Sequence, residues 1–232
     1  IGKDTVLIGN TRLMKENNIS IDDCKEKLEE LEQEAKTVVI LSRNKKVISL
    51  IAIADTLKQD SKEAVEKLKK AGIETVMITG DNKRTAEAIA NQLGIGKVFA
   101  EVLPQHKAEK VKELQKQGKK VAFVGDGIND APALAQSDLG IAIGTGTDIA
   151  IEAGDIVLVK GHPLKVVEAL NLSKLTFRTI KQNLFWAFFY NIAALPLAAI
   201  GFLNPMIAAV AMASSSVTVV GNSLRIKNKK LL

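Results

Sequence analysis

The chain reads as an α/β protein built on a parallel sheet and followed by a two-helix membrane hairpin. Three observations carry that reading. From residue 47 onward, short Val- and Ile-rich runs alternate with amphipathic Lys/Glu segments, the pattern of successive βαβ units. Polar Gly-Asp clusters follow two of the apolar runs, where open parallel sheets bind their ligands. The 43 residues from Gln182 to Leu224 carry no charge at all.

The elements follow in order. Thr5–Ile8 is a short strand ending in Gly9-Asn10. Ser20 opens a helix that runs to about Glu34, with Asp23 three residues on as a capping-box variant. Thr37–Ser42 and Lys46–Ala54 form a hairpin around Arg43-Asn44-Lys45. This is sheet-edge architecture, and residues 1–53 read as part of a separate α+β lobe. Residues 54–165 carry the βαβ pattern. Ser61–Ala71, Lys83–Leu93, Gln105–Gln117 and Asp130–Gln136 are helices, with a further short helix at Asp148–Ala153. The strands are Glu74–Thr79, Val98–Ala100, Val121–Val124, Leu139–Ile143 and Ile156–Val159. Residues 166–232 form the third part. The chain opens on Ile1 inside a strand-loop element, which reads as a fragment.

Composition narrows the function. Of 232 residues 47% are hydrophobic, which excludes disorder, and a single Cys excludes a disulfide framework or a Cys-rich zinc module. A net charge of +6 and a pI near 9.3 suggest a nucleic-acid binder, but the placement of the charges argues against it. All 26 acids precede residue 182, and residues 1–181 hold 28 Lys and Arg, leaving that part nearly neutral. Arg225, Lys227, Lys229 and Lys230 form a basic tail beside the apolar stretch, a membrane pattern. As one helix the stretch would run about 64 Å, roughly twice a hydrocarbon core of about 30 Å. It breaks at Gly201–Pro205, giving helices near 184–203 and 205–223, with Pro196 placed to kink the first. Both ends have basic flanks, so residues 1–181 and the tail are expected to be cytoplasmic and the chain part of a multi-pass membrane protein. Six of the nine aromatics fall here, which suits an interfacial belt. A hairpin buried in a soluble protein is the rival reading, but a chain this size has little core to surround it.

The strongest local signal is Gly125-Asp126-Gly127-Ile128-Asn129-Asp130-Ala131-Pro132-Ala133-Leu134. It sets two carboxylates four residues apart on a glycine-containing strand-to-helix turn, able to hold a hard cation such as Mg²⁺. Alone, an acidic glycine turn is most often an ordinary turn or cap. The segment resembles the hinge motif of P-type ATPases, ion pumps whose phosphorylation domain has the haloacid-dehalogenase fold. Thr79-Gly80-Asp81-Asn82, Leu103-Pro104-Gln105-His106-Lys107, Asp55-Thr56-Leu57-Lys58 and Ile143-Gly144-Thr145-Gly146-Thr147-Asp148 are similar to further segments of that family.

The resemblance implies phosphoryl transfer through an aspartyl-phosphate, with Mg²⁺ and ATP. It assigns Asp126 to direct Mg²⁺ ligation and Asp130 to support of the metal site. Thr79, with Gly80, would donate to phosphoryl oxygens, and Lys107 would neutralise developing charge. Asp81 and Asn82 would face nucleotide. By spacing alone Lys107 is a solvated helix lysine. Gly9-Asn10 resembles the end of the nucleotide lobe in the heavy-metal branch, although such a pair is usually just a turn. His106 and His162 read as solvent-facing or turn residues and Cys24 as a helix-face residue.

In the charge-free stretch Tyr190-Asn191 stands on the first helix, and Met212 and Ser216 share one face of the second. Thioether sulfur suits Cu(I), whereas small residues with Ser and Met are equally ordinary packing material. These positions are similar to the last two helices of Cu(I)-transporting ATPases, and the acid expected there in a zinc branch is absent. The chain contains no Asp-Lys-Thr-Gly-Thr, Cys-Pro-Cys or Thr-Gly-Glu motif. The resemblance therefore implies the carboxyl-terminal portion of an ATP-driven Cu(I) efflux pump, inactive alone. Its implied partners are the missing amino-terminal part, membrane lipid and a copper chaperone, with no nucleic acid. A membrane-anchored haloacid-dehalogenase-type phosphatase, a pump for silver or another soft metal, and a non-catalytic binding domain are the alternatives.

Overall fold

The computed structural model describes residues 4–54, 56–125, 128–143, 152–159, 161–201 and 205–229. Asp55, Asp126, Gly127 and the segment from Gly144 to Ile151 lie outside the described residues, and with them most of the short helix expected at Asp148–Ala153. The chain divides into two compact units, residues 1–165 and 166–232, which are taken separately.

The first unit opens with an antiparallel sheet of β1 (Val6–Gly9), β2 (Lys36–Arg43) and β3 (Lys46–Ala54), in the order β1-β2-β3. Along β2 every second residue is buried, Val38, Ile40 and Ser42, so one face meets the core. That face packs against Met14, Ile19 and Leu28. The β2–β3 turn is made by Asn44 and Lys45, both with positive φ (49° and 65°), a primed turn that matches strand twist. Two expectations change here. Asn10 is no simple turn residue: its side chain accepts the Leu13 N–H at 3.0 Å and caps α1 (Thr11–Glu16), a helix the sequence reading lacks. Ser20 makes no capping box with Asp23. Its hydroxyl donates to Asp22 Oδ2 at 2.6 Å and accepts the Asp22 N–H. A 3₁₀ turn, Asp22–Cys24, then delays α2 to Lys25–Gln33.

The parallel strands appear as expected, but in two hydrogen-bonded groups rather than one sheet. Strand β4 (Val76–Ile78) pairs with β5 (Lys97–Phe99), and β6 (Ala122–Gly125) pairs with β7 (Leu139–Ile143), which pairs with β8 (Ile156–Leu158). Helices α3 (Ser61–Lys70), α4 (Lys83–Leu93), α5 (Lys107–Lys116) and α6 (Ala131–Gln136) intervene. Four of five β7 residues are buried, the mark of a parallel strand covered on both faces. Both groups share a core. Val111 of α5, Phe123 of β6 and Ala133 and Leu134 of α6 form it, and Ile78 of β4 packs against them. Each large side chain there contributes roughly 2 kcal/mol of apolar burial.

In the second unit α7 (Leu164–Ala199) and α8 (Pro205–Leu224) run antiparallel. Asn183 Nδ2 donates to Ser223 Oγ (2.8 Å) and Asn222 Nδ2 to Asn183 Oδ1 (2.8 Å), and the Tyr190 hydroxyl meets Thr218 Oγ1 at 3.4 Å. The first helix begins some twenty residues before the expected 184, because residues 164–183 contain no Gly or Pro to stop it. Pro196 lies inside it. Among the described residues no helix is long and apolar enough to cross a membrane.

Candidate functional site

The carboxyl ends of β4 and β6 carry the two motif loops. Beyond β4 the chain is tied to the loop after β5: Thr79 N–H donates to the Phe99 carbonyl (2.9 Å), Glu101 N–H to that of Asp81 (2.9 Å) and Val102 N–H to that of Thr79 (3.0 Å). Within the loop, the Thr79 hydroxyl donates to Asp81 Oδ2 at 2.8 Å and accepts the Asp81 N–H at 3.1 Å. This reciprocal pair fixes the hydroxyl's position. Gly80 follows, with the Val102 carbonyl oxygen 3.5 Å from where a Cβ would stand. Asn82 is the N-cap of α4, its Oδ1 accepting the Thr85 N–H at 3.0 Å.

From Val102 the backbone passes through a 3₁₀ turn, Pro104–His106, into α5, whose first residue is Lys107. The Lys107 ammonium donates to Asp130 Oδ1 at 2.7 Å. Only 18% and 12% of these two side chains are exposed, so the pair is strengthened by partial dehydration. Asp130 ends a 3₁₀ turn, Ile128–Asp130, and leads into α6. A glycine is required beside it: a Cβ at Gly125 would lie 2.7 Å from both Cβ and Oδ2 of Asp130.

The structure thus brings Lys107 to Asp130, and Thr79 to Asp81, and links the two pairs through residues 99–107. No hydrogen bond joins one pair to the other among the described residues. Asp126 lies outside them. Gly9 and Asn10 belong to the antiparallel lobe, where Asn10 caps α1.

Two residues absent from the sequence reading join this loop to that lobe. Thr85, 1% exposed, donates its hydroxyl to the Lys36 carbonyl (3.0 Å) and accepts from Asn82 Nδ2 (3.0 Å). Arg84 forks to Glu32 Oε2 (3.0 Å) and Glu29 Oε1 (2.8 Å) on α2. Glu32 is 4% exposed. The available signal was Glu32, an acid on the apolar face of α2, since a buried carboxylate needs a cationic partner. Which cation it finds is a long-range matter.

Among the described residues no group of three or more His, Cys, Asp or Glu could enclose a metal ion. Mg²⁺ needs no such cage, being held by one or two carboxylates together with water and phosphate oxygens. Asp130, with one oxygen on Lys107 and the other beside Gly125, has donor chemistry compatible with that role.

In the second unit Tyr190 faces Thr218, and Asn191 Nδ2 donates to the Ala187 carbonyl of its own helix at 2.9 Å. Met212 is 75% exposed and Ser216 is exposed too. Among the described residues no hydrogen bond joins any of these four to another.

Comparison with known proteins places these features. A profile of the haloacid dehalogenase-like hydrolases matches residues 3–138. A copper-exporting P-type ATPase of Staphylococcus aureus (strain JH9) is 51% identical over 227 residues, 97% of this chain and 28% of the relative. One of Bacillus subtilis (strain 168) is 50% identical over 229 residues, 99% of this chain and 29% of the relative. The crystal structure of a zinc-transporting PIB-type ATPase in its E2.Pi state superposes with a TM-score of 0.77 at 35% identity, covering 97% of this chain and 36% of that one. The chain spans less than a third of the length of these two copper-exporting relatives. It belongs to the haloacid dehalogenase-like hydrolase family and, along nearly all its length, is similar to the P-type ATPases within it.

Proposed function

We infer that this chain is the carboxyl-terminal portion of an ATP-driven Cu(I) efflux pump that works through an aspartyl-phosphate. The observation that carries the reading is the dehydrated Lys107–Asp130 pair, seated against Gly125 and joined through residues 99–107 to the Thr79–Asp81 loop. Phosphoryl transfer depends on positioning and charge stabilisation, and these groups supply both. The Lys107 ammonium offers charge for phosphoryl oxygens. The Thr79 hydroxyl, held by Asp81, is a donor that can turn to them. Asp126 and Asp130 would hold Mg²⁺, which when bound neutralises the transferred group. Asp81 and Asn82, and on the other lobe Gly9 and Asn10, would face ATP.

Residues 1–53 would be the end of the nucleotide lobe and 54–165 most of the phosphorylation domain. The separation of β4-β5 from β6-β7-β8 supports this, since a strand from upstream carrying the acceptor aspartate would pair between them. Residues 166–232 would be the last two spans and a cytoplasmic tail, with Cu(I) reaching Tyr190, Asn191, Met212 and Ser216 against helices supplied upstream. Large exposed apolar side chains on both helices, Ile192, Leu195, Val210 and Val217 among them, support a lipid surround. The high identity to copper-exporting relatives and the absence of any acid in the hairpin favour Cu(I) over zinc. A copper chaperone would deliver the ion.

The test is phosphorylation of the intact pump by labelled ATP. Wild type should form a Cu(I)-dependent, acid-stable phosphoenzyme, and Asp126→Asn should strongly impair it at low Mg²⁺. This chain alone should retain no label. Label on the isolated chain would refute the fragment reading and favour a self-contained phosphatase. Activation by silver or zinc but not copper would refute the cargo.

A further inference from the structure

We propose that the polar pocket between α7 and the end of α8, at the cytoplasmic edge of the charge-free stretch, binds the phosphate of an anionic phospholipid. The proposal rests on the reading of these helices as a membrane hairpin.

The charge distribution leads to it. From residue 166 to the end there are seven Lys and Arg and a single acid, Glu168, so this unit carries the whole +6 of the chain and residues 1–165 are neutral. Three of the seven converge. A cavity of about 150 Å³ is lined by Arg178, Thr179 and Gln182 of α7 and by Asn222, Arg225 and Lys229 at the end of α8 and beyond, with no carboxylate among its lining residues. Elsewhere the cations pair: Lys107 with Asp130, Arg84 with Glu29 and Glu32, Lys120 with Asp138. Arg178, Arg225 and Lys229 have no such carboxylate partner among the described residues.

The other polar groups of the pocket are already engaged. The Thr179 hydroxyl, in a residue 6% exposed, donates to the Leu175 carbonyl at 3.0 Å. Asn222 Nδ2 donates to Asn183 and Gln182. The Asn222 bonds join the two helices, and among the described residues the two guanidinium groups and the ammonium, with the Gln182 side-chain N–H groups, are the pocket donors without acceptors. A ligand must therefore supply acceptor oxygens and negative charge. Two guanidinium forks suit a tetrahedral phosphate, which offers more than one bidentate edge, better than a single carboxylate.

Position argues for a lipid source. The pocket lies within about a turn of the ends of the charge-free run Gln182–Leu224, at headgroup level if that run spans the bilayer. Beside it α7 exposes Phe177 (59%), Ile180 (55%) and Leu184 (54%), an apolar surface for acyl chains. A basic flank alone would attract anionic lipid diffusely, by about 1 kcal/mol per residue. A pocket instead makes retention depend on which cations are removed.

The experiment uses the full chain in phosphatidylcholine nanodiscs doped with phosphatidic acid, with retained lipid counted by native mass spectrometry. Arg178→Gln with Arg225→Gln should lower retained phosphatidic acid by about tenfold or more, two charge-assisted hydrogen-bonding groups being lost. Lys174→Gln with Lys227→Gln, an equal charge loss outside the pocket lining, should leave it unchanged. Equal losses in both variants would refute the site in favour of diffuse attraction. Displacement by inorganic phosphate at concentrations matching the lipid would refute a lipid in favour of a soluble anion. A wild-type chain that fails to insert into undoped phosphatidylcholine would refute the hairpin itself. Insertion without selective retention refutes the pocket alone.

Discussion

Replacing Lys107 with methionine keeps much of the side-chain volume and removes the charge that faces Asp130. The contact is 2.7 Å, and 82% of Lys107 and 88% of Asp130 side-chain surface is shielded, their exposures being 18% and 12%. Stranding one partner of a fully buried pair costs about 3–5 kcal/mol, while exposed pairs contribute about 0–1 kcal/mol. This pair lies between, nearer the buried end, and a loss of about 2 kcal/mol is expected. It should be felt first in α6, which begins at the residue after Asp130. Amide hydrogen exchange of the full chain in detergent reads it directly: α6 amides that exchange by local opening should exchange about 30-fold faster. Asp130→Leu added to Lys107→Met should restore much of the protection, because an apolar pair leaves no buried charge. Unchanged exchange in the single variant, or strictly additive effects in the double one, would refute the pair as a structural element.

Four further outcomes follow from the same geometry. Gly125→Ala puts a Cβ 2.7 Å from Asp130 and should destabilise by about 1–3 kcal/mol, read in the same α6 exchange; wild-type protection would show that Asp130 has room to move. Arg84→Ala leaves Glu32 buried without its cation; Arg84 is 48% exposed, so about 1–2 kcal/mol is expected in α2 exchange, with Glu32→Gln in the same chain recovering part of it. The Lys120 ammonium, then the Val121 N–H and the Gln115 amide, hold the Asp138 carboxyl well below the usual range. A lowered folded-state value means stability present above the unfolded value near 4 and lost as pH falls toward the folded one, so Asp138→Asn should flatten the acid limb of unfolding below about pH 4, followed by circular dichroism. On the proposed Cu(I)-pump reading, Met212→Leu should alter packing by less than about 1.5 kcal/mol yet sharply reduce Cu(I)-dependent phosphorylation of the intact protein, while phosphorylation from inorganic phosphate persists; unchanged copper activation would make Met212 a packing residue.

Much of this protein is legible in its sequence because the signals are local. Val- and Ile-rich runs and Lys/Glu amphipathic segments report strands and helices residue by residue, and the parallel pairing of β4 with β5 and of β6 through β8 follows from their alternation with helices. The Gly125–Leu134 and Thr79–Asn82 motifs are contiguous, so their place at strand ends is visible without coordinates. The charge-free run is a property of composition alone. Local signals misled where two were in competition. Asn10 is equally good as a turn residue and as an N-cap, and tertiary packing of Met14, fully buried, selects the cap. Ser20 could cap a helix but bonds to the nearer Asp22.

What the sequence could not decide is pairing across distance. Lys107 is one of 32 basic residues, and nothing in its neighbourhood singles out Asp130, 23 residues away. Arg84 and Glu32 are 52 apart, and Arg178 and Arg225 share a pocket only because α8 turns back along α7. Electrostatic partners are chosen by distance in space and by how far water is excluded from them, and both quantities exist only once the chain has folded. The sequence by itself determined the element types, the motif loops and the uneven distribution of charge. The tertiary structure decided which charges meet, which carboxylates are buried, and which cations are left facing outward for something else to bind.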